Sequence, residues 1–141
     1  MTRVALLFTL LLGAMGCQQP ADIDVADARV RAMLPGMDKT AGYMRIANRT
    51  DQVKVLVAVS MPGIRAIEIH ETTEVDGMMR MRPLTELSLP AGATVTLSPG
   101  GRHLMLIGVI SLVDDAYPVT FELDDGREVT ASFVVDRNLE P

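Results

Sequence analysis

Apolar and polar residues alternate with a period of two along much of the chain from residue 23 onward. The clearest case is the pair of segments 119–123 and 129–135, where apolar side chains alternate with threonine, glutamate and serine. Between the two segments lies Asp124-Asp125-Gly126. An Asp-Gly pair supplies the positive φ angles that a tight turn needs. The pattern therefore predicts an antiparallel β-hairpin.

Further strand signals follow one another about every eight to twelve residues, a spacing typical of a sandwich or a small barrel. One of them is the run of alternating valines Val53, Val55, Val57 and Val59. Glycines and prolines separate these segments, and the chain lacks the 3.6-residue apolar period of a helix. Because 141 residues are too few for two full-sized domains, we expect a single all-β domain at residues 23–137.

The first 16 residues have a different character. Arg3 precedes an uncharged, largely apolar run at residues 4–12, and small residues follow before Cys17. This order is typical of a secretory signal peptide, and the run is shorter than the roughly 20 residues that a membrane-spanning helix needs. We interpret residues 1–16 as a signal peptide and the protein as exported.

Cys17 directly follows Ala14-Met15-Gly16, and this placement resembles the lipobox of bacterial lipoproteins, which are cleaved before a cysteine that is then lipidated. Ala14 and Gly16 also fit an ordinary signal peptidase site, which would leave a free thiol on Cys17. The lone cysteine in an exported chain favours lipidation. We expect acyl chains on Cys17 to anchor the domain in the periplasm through a tether at residues 17–22. Gln18, instead of Asp, resembles an outer-membrane sorting signal.

Composition excludes several classes of function. The chain has 13 Lys and Arg against 18 Asp and Glu, so it lacks the basic surface that nucleic acids require. One cysteine and two histidines are too few for a disulfide framework or the usual zinc sites built from protein ligands alone. We find no nucleophile motif and no third histidine for a catalytic metal triad. We therefore expect no enzymatic activity and no catalytic residues.

Both histidines occur at regular distances from methionines. Ten residues separate His70 from Met81, and 21 residues separate Met81 from the sequence His103-Leu104-Met105. Thioether sulfur is a soft ligand and imidazole a borderline one, so two of each favour Cu(I) over zinc, calcium or magnesium. His70, Met81, His103 and Met105 are therefore the candidate metal ligands. Met79 is an alternative to Met81, because strand alternation puts both on one face.

Strand alternation also predicts how these side chains are presented. In Ile67-Glu68-Ile69-His70 the isoleucines share one face, so His70 and Glu68 point away from the core. His103 and Met105 are two residues apart and project on the same side of their strand. Four neutral ligands without a thiolate hold Cu(I) loosely enough to pass it to stronger ligands. These features favour a copper carrier over a storage protein.

Three segments resemble the periplasmic copper chaperones of the PCuAC type: Ile69-His70-Glu71, Gly77 to Pro83, and Pro99 to Met105. The resemblance runs from about Ile23 to Val135. It implies a cupredoxin-like Greek-key β-sandwich that binds one Cu(I), and delivery of copper to the binuclear copper site of cytochrome c oxidase. Some members add a tail rich in His and Met that takes Cu(II). The last four residues, Asn-Leu-Glu-Pro, contain neither residue type, so we expect one copper per chain.

Two other functions fit the same sequence. One is a copper buffer that delivers nothing, and the other is a metal-free envelope lipoprotein that binds a protein partner through an apolar patch of methionines. The spacing of the four ligands favours copper binding over the metal-free alternative. Delivery and buffering differ only in the acceptor, which the sequence does not identify. We expect the protein to be a monomer.

Overall fold

The structure is a computed structural model that describes residues 22–109 and 112–139. The predicted signal peptide and Cys17 lie outside the described residues. Within these residues the chain forms ten strands and no helix, and thus no helix long and apolar enough to cross a membrane. The strands are β1 (Ile23–Arg31), β2 (Lys39–Asn48), β3 (Lys54–Ser60), β4 (Ala66–Val75), β5 (Met78–Leu84), β6 (Leu87–Leu89), β7 (Thr94–Leu97), β8 (Arg102–Ile107), β9 (Ala116–Leu123) and β10 (Glu128–Asp136).

The strands are hydrogen-bonded in the order β5-β4-β8-β2-β1-β10-β9-β3-β6, and β7 also pairs with β2. Neighbouring strands are antiparallel except β1 and β10, which are parallel. One apolar core joins both halves of this path, with Ile46 and Leu104 from one half and Leu56, Phe121 and Phe133 from the other. Burying these aliphatic and aromatic side chains is the main stabilising contribution. The predicted all-β fold is confirmed.

The predicted hairpin consists of β9 and β10, with Glu122 opposite Glu128 at the end next to the turn. Phe121 and Phe133 project into the core, as the alternation predicts. Of the turn residues Asp124-Asp125-Gly126, only Gly126 has a positive φ angle, at 78°. The turn therefore needs the conformational freedom of glycine at a single position.

The predicted strand with alternating valines corresponds to β3, but its burial does not alternate regularly. A register shift between Leu56 and Ala58 against β9 marks a β-bulge. The extra residue reverses the alternation, so Leu56 and Val59 are buried while Val57 is 39% exposed. A bulge depends on the partner strand, so the alternating valines alone do not determine which residues of β3 are buried.

The hairpin of β4 and β5 carries the middle of the chain to one edge of the sheet. Asp76 and Gly77 join the two strands with φ angles of 54° and 74°, which is the geometry of a type I′ turn. β5 pairs with β4 on one side only, and Pro83 lies within it. Proline is tolerated in an edge strand because its missing N–H is not needed there. The methionines of β5 are consequently exposed at an open edge.

Candidate metal centre

The two histidines lie directly opposite each other on adjacent strands. β4 and β8 pair antiparallel with His70 in register with His103. The centroids of the imidazole rings are 5.8 Å apart, and the ring planes are inclined at 51°. Residues in register on antiparallel strands have their Cβ atoms about 4.5–5.5 Å apart. The fold thus brings together two imidazoles from distant parts of the sequence.

The two candidate thioethers lie on opposite sides of this histidine pair. Met105 is two residues beyond His103 and in register with Glu68 of β4. Met81 is on β5, in register with Thr72, which is two residues from His70 in the other direction. Alternation places all of these side chains on the same face of the sheet. The structure therefore gathers all four predicted ligands on one face of β5, β4 and β8.

The four side chains differ in exposure. His103 is 5% exposed, the side chain of His70 is 13% exposed, and Met105 is half-buried. Met81 is 52% exposed. Since a methionine side chain has three rotatable bonds, Met81 can turn toward the histidines or away from them. The site has a covered side and an open side.

Each imidazole has one nitrogen in a hydrogen bond. His70 Nε2 is 2.8 Å from Oε2 of Glu68, and His103 Nδ1 donates to the carbonyl oxygen of Gly101 at 3.1 Å. His70 Nδ1 is buried and has no hydrogen-bond partner among the described residues. A buried polar atom without a partner carries an energetic cost, which coordination of a metal ion would remove. This feature and the soft donor set fit Cu(I).

The opposite face of the same strands carries charged residues that are paired with one another. Glu71 accepts hydrogen bonds from Arg82 at 2.8 Å and from Arg102 at 3.1 Å. These two guanidinium groups lower the pKa of Glu71 from its usual value. Arg82 is in register with Glu71 and therefore faces away from Met81, which is in register with Thr72. The arginines are engaged with Glu71 rather than with the histidine face.

Among the described residues, the other acidic side chains do not belong to any group of three His, Cys, Asp or Glu that could hold a metal ion. Asp125 binds Lys54 and Arg127. Asp124 accepts a hydrogen bond from the backbone N–H of Val55. Asp115 pairs with Arg137. These carboxylates tie strands and loops together.

Sequence reasoning missed two groups at the site. Alternation placed Glu68 on the histidine face but did not indicate its hydrogen bond to His70. The carbonyl group of Gly101 has no side-chain signal at all, although Gly101 belongs to the Pro-Gly-Gly segment. Met79, the alternative to Met81, lies in register with Glu74 and is 60% exposed. Met79 therefore lies two residues farther from the histidines along β5 than Met81 does.

Comparisons with known proteins match this chain to a family. The family described as "Putative lipoprotein LpqE-like" matches residues 23–135. "Putative lipoprotein Lxx21020" from Leifsonia xyli subsp. xyli is 27% identical over 139 residues, which cover 88% of this chain and 82% of that protein. "Uncharacterized protein RP573" from Rickettsia prowazekii is 30% identical over 95 residues, and the match covers 52% of its length.

Two solved structures with the same fold have copper in their names. The solution structure of CuI-DR1885 from Deinococcus radiodurans has a TM-score of 0.69 and 31% identity, and the match covers 89% of this chain and 85% of that one. The copper-bound PCuAC domain from PmoF2 has a TM-score of 0.69 and 23% identity, with 83% and 94% covered; this second likeness shows the fold alone. The resemblance to PCuAC proteins is confirmed. With the PCuAC fold and a family match over residues 23–135, the chain belongs to the LpqE-like lipoprotein family.

Proposed function

We propose that this protein is a periplasmic Cu(I) carrier that binds one ion through His70, Met81, His103 and Met105. The observation that carries the proposal is the register pairing of His70 with His103, with the two thioethers on the same face. The copper named in the structures of DR1885 and the PmoF2 domain supports it. The donor set supports the monovalent ion, because thioethers bind Cu(I) far better than zinc or harder cations.

Delivery rather than storage is supported by the uneven exposure of the ligands. His70, His103 and Met105 lie at the covered side of the site, whereas Met81 is 52% exposed on the edge strand β5. An incoming ligand from a partner protein can replace Met81 first, while the other three groups still hold the ion. Neutral ligands also leave the bound ion without a thiolate to retain it. The proposed role is therefore a carrier that releases copper on contact with its acceptor.

The proposed acceptor is a copper-accepting protein of the envelope, specifically the binuclear copper site of cytochrome c oxidase, as the resemblance to PCuAC chaperones implies. The proposed location is the periplasm, with the protein lipid-anchored at Cys17 to the outer membrane. The lipoprotein names of the family and of the Leifsonia relative support a lipid anchor. We propose a monomer that performs no catalysis.

The decisive experiment is a Cu(I) titration of the purified Cys17→Ser protein against a competing chelator. The substitution removes a thiol that would bind Cu(I) on its own. We expect one Cu(I) per chain and no zinc complex of comparable strength, because half of the ligands are thioethers. A tight zinc complex with no preference for copper would overturn the proposed function.

Delivery is tested separately. The Cu(I)-loaded protein is mixed with an apo cytochrome c oxidase copper domain, the two proteins are separated, and copper is measured on each. Movement of copper to the oxidase domain supports delivery. Retention of copper on this protein in the presence of excess acceptor supports the buffering alternative and rejects this acceptor.

A further inference from the structure

The two imidazoles of the site are held through different ring nitrogens. The carboxylate of Glu68 lies 2.8 Å from Nε2 of His70. The carbonyl oxygen of Gly101 lies 3.1 Å from Nδ1 of His103. Both oxygens are acceptors, so the ring nitrogen facing each of them carries the proton. A neutral imidazole has only one N–H, and its other nitrogen then offers the lone pair that a metal ion needs.

We propose that Glu68 is a positioning residue that makes Nδ1 of His70 the copper-binding atom, whereas His103 binds through Nε2. This inference rests on the proposed function and assigns the ligand atoms within it. The buried Nδ1 of His70, which has no partner among the described residues, is the nitrogen left free by the bond to Glu68. Histidine ligands are commonly oriented by a hydrogen bond from the other ring nitrogen to a carboxylate or a backbone carbonyl.

The strand geometry explains why Glu68 can do this. Glu68 and His70 are two residues apart on β4, so their side chains project on the same face. β4 lies between β5 and β8 in the sheet, which fixes its backbone on both sides. The opposite ring, His103, is held by a backbone carbonyl of its own chain segment and needs no such side chain. Glu68 is therefore the side chain through which one of the two imidazoles can be altered selectively.

The first test is a measurement on the copper-free protein. Protonated and unprotonated ring nitrogens have well-separated ¹⁵N chemical shifts, and couplings to the ring protons identify each nitrogen. We expect His70 to carry its proton on Nε2 and His103 on Nδ1 at a pH where both rings are neutral. The same tautomer on both histidines would overturn the assignment, and this readout does not depend on copper binding.

The second test follows the nitrogens in the Cu(I) complex, which is diamagnetic. We expect the largest shift changes at Nδ1 of His70 and at Nε2 of His103. Coordination of His70 through Nε2 would mean that the ion displaces Glu68, and it would overturn this inference while leaving the proposed copper function intact. Absence of Cu(I) binding to the wild-type protein would instead reject the proposed function, with the tautomer result still deciding the role of Glu68.

The third test uses three variants. Loss of an orienting partner typically weakens metal binding by about 10–100-fold, so we expect that loss for Glu68→Leu. Glu68→Gln retains an oxygen acceptor and should stay close to wild type. Glu74→Leu is the matched control, since Glu74 lies on the same face of β4 but in register with Met79 rather than beside His70. Unchanged or tighter copper binding by Glu68→Leu would show that Glu68 is a bystander or a competitor of the ion.

Discussion

The four candidate ligands divide into a covered group and one exposed side chain. His103 is almost fully buried and His70 is nearly so, so their positions are set by packing and by hydrogen bonds to Gly101 and Glu68. Met81 is 52% exposed on the edge strand β5. We infer that the imidazoles define where the ion sits and that Met81 controls how readily it leaves.

This division predicts the outcome of replacing sulfur by carbon. Met81→Leu and Met105→Leu keep volume and apolarity, and such exchanges usually cost less than about 1.5 kcal/mol of stability. Losing a ligand should weaken Cu(I) binding by at least the roughly 10–100-fold that the loss of an orienting group costs. We expect a sharp loss of Cu(I) affinity in chelator competition and a nearly unchanged Tm of the copper-free protein.

Two other methionines of β5 serve as matched controls. Met78 is as exposed as Met81 but projects on the opposite face of the strand, so Met78→Leu should bind copper like the wild type. Met79→Leu tests the alternative ligand on the same face as Met81. If Met79→Leu loses affinity and Met81→Leu does not, the assignment of Met81 is wrong. A large drop in apo Tm for Met105→Leu would identify Met105 as a core residue.

At the scale of elements, the hairpin of β9 and β10 is tied to β3 by an ion pair. Lys54 Nζ lies 2.9 Å from Oδ2 of Asp125. This hydrogen bond is the main reason why the pKa of Asp125 is lowered to about 2. An unfolded chain has an aspartate pKa of about 3.9. The ionised form is therefore favoured by folding, and its stabilising effect is present at neutral pH.

We predict that Asp125→Asn lowers the Tm at pH 7 and pH 5. The difference from wild type should shrink below about pH 4, where the unfolded state takes up the proton, and should disappear near pH 2 as the folded state does so. Thermal unfolding at several pH values measures this. Glu128→Gln, in the same hairpin, removes an equal charge from an exposed position and should show no such trend. A Tm difference that is independent of pH would assign the effect of Asp125 to something other than its charge.

Elements also show how far the sequence determines the site. Alternation correctly predicted which side chains share a face with His70, His103 and Met81, because side-chain direction along a strand is local. Which strands become neighbours is not local. The contact between His70 and His103 depends on β4 and β8 pairing in one register, and a slip of one residue would send one ring to the core face. The spacing of His and Met along the chain, together with the PCuAC resemblance, was the only signal for that pairing.

The missed features have the same physical origin. The β-bulge in β3 and the reversed exposure of Val57 arise from pairing with β9, which no pattern within β3 encodes. The carbonyl of Gly101 is a backbone group, so its hydrogen bond to His103 depends on the conformation of the loop before β8 and not on a side chain. The all-β fold was predictable because alternation and turn residues repeat along the chain. The orientation of the two imidazole rings was not predictable, because it depends on hydrogen bonds to Glu68 and Gly101.

At the scale of the whole molecule, strand directions relate the site to the predicted anchor. β2 and β4 both pair antiparallel with β8, so they run in the same direction. β1 begins at Ile23, which is in register with Asn48 at the far end of β2. The turn at Gly77, at the end of β4, therefore points toward the end of the molecule where β1 begins. If Cys17 is lipidated, its acyl chains would be attached six residues before Ile23, a tether of about 20 Å when fully extended.

This arrangement leads to a prediction about location. With Cys17 lipidated, the turn between β4 and β5 would lie at the end of the domain to which the anchored tether is attached. We expect the wild-type protein to fractionate with membranes and to incorporate labelled fatty acid, because multiple acyl chains give stable attachment. Cys17→Ser should lose the label and appear in the soluble periplasmic fraction with unchanged Cu(I) affinity.

Gln18→Asp is the control, since it keeps the cysteine while altering the residue that resembles the outer-membrane sorting signal. This variant should stay lipidated and membrane-bound but leave the outer-membrane fraction. Continued membrane association of Cys17→Ser would reject the anchor, and loss of its copper binding would mean that the thiol of Cys17 belongs to the metal site.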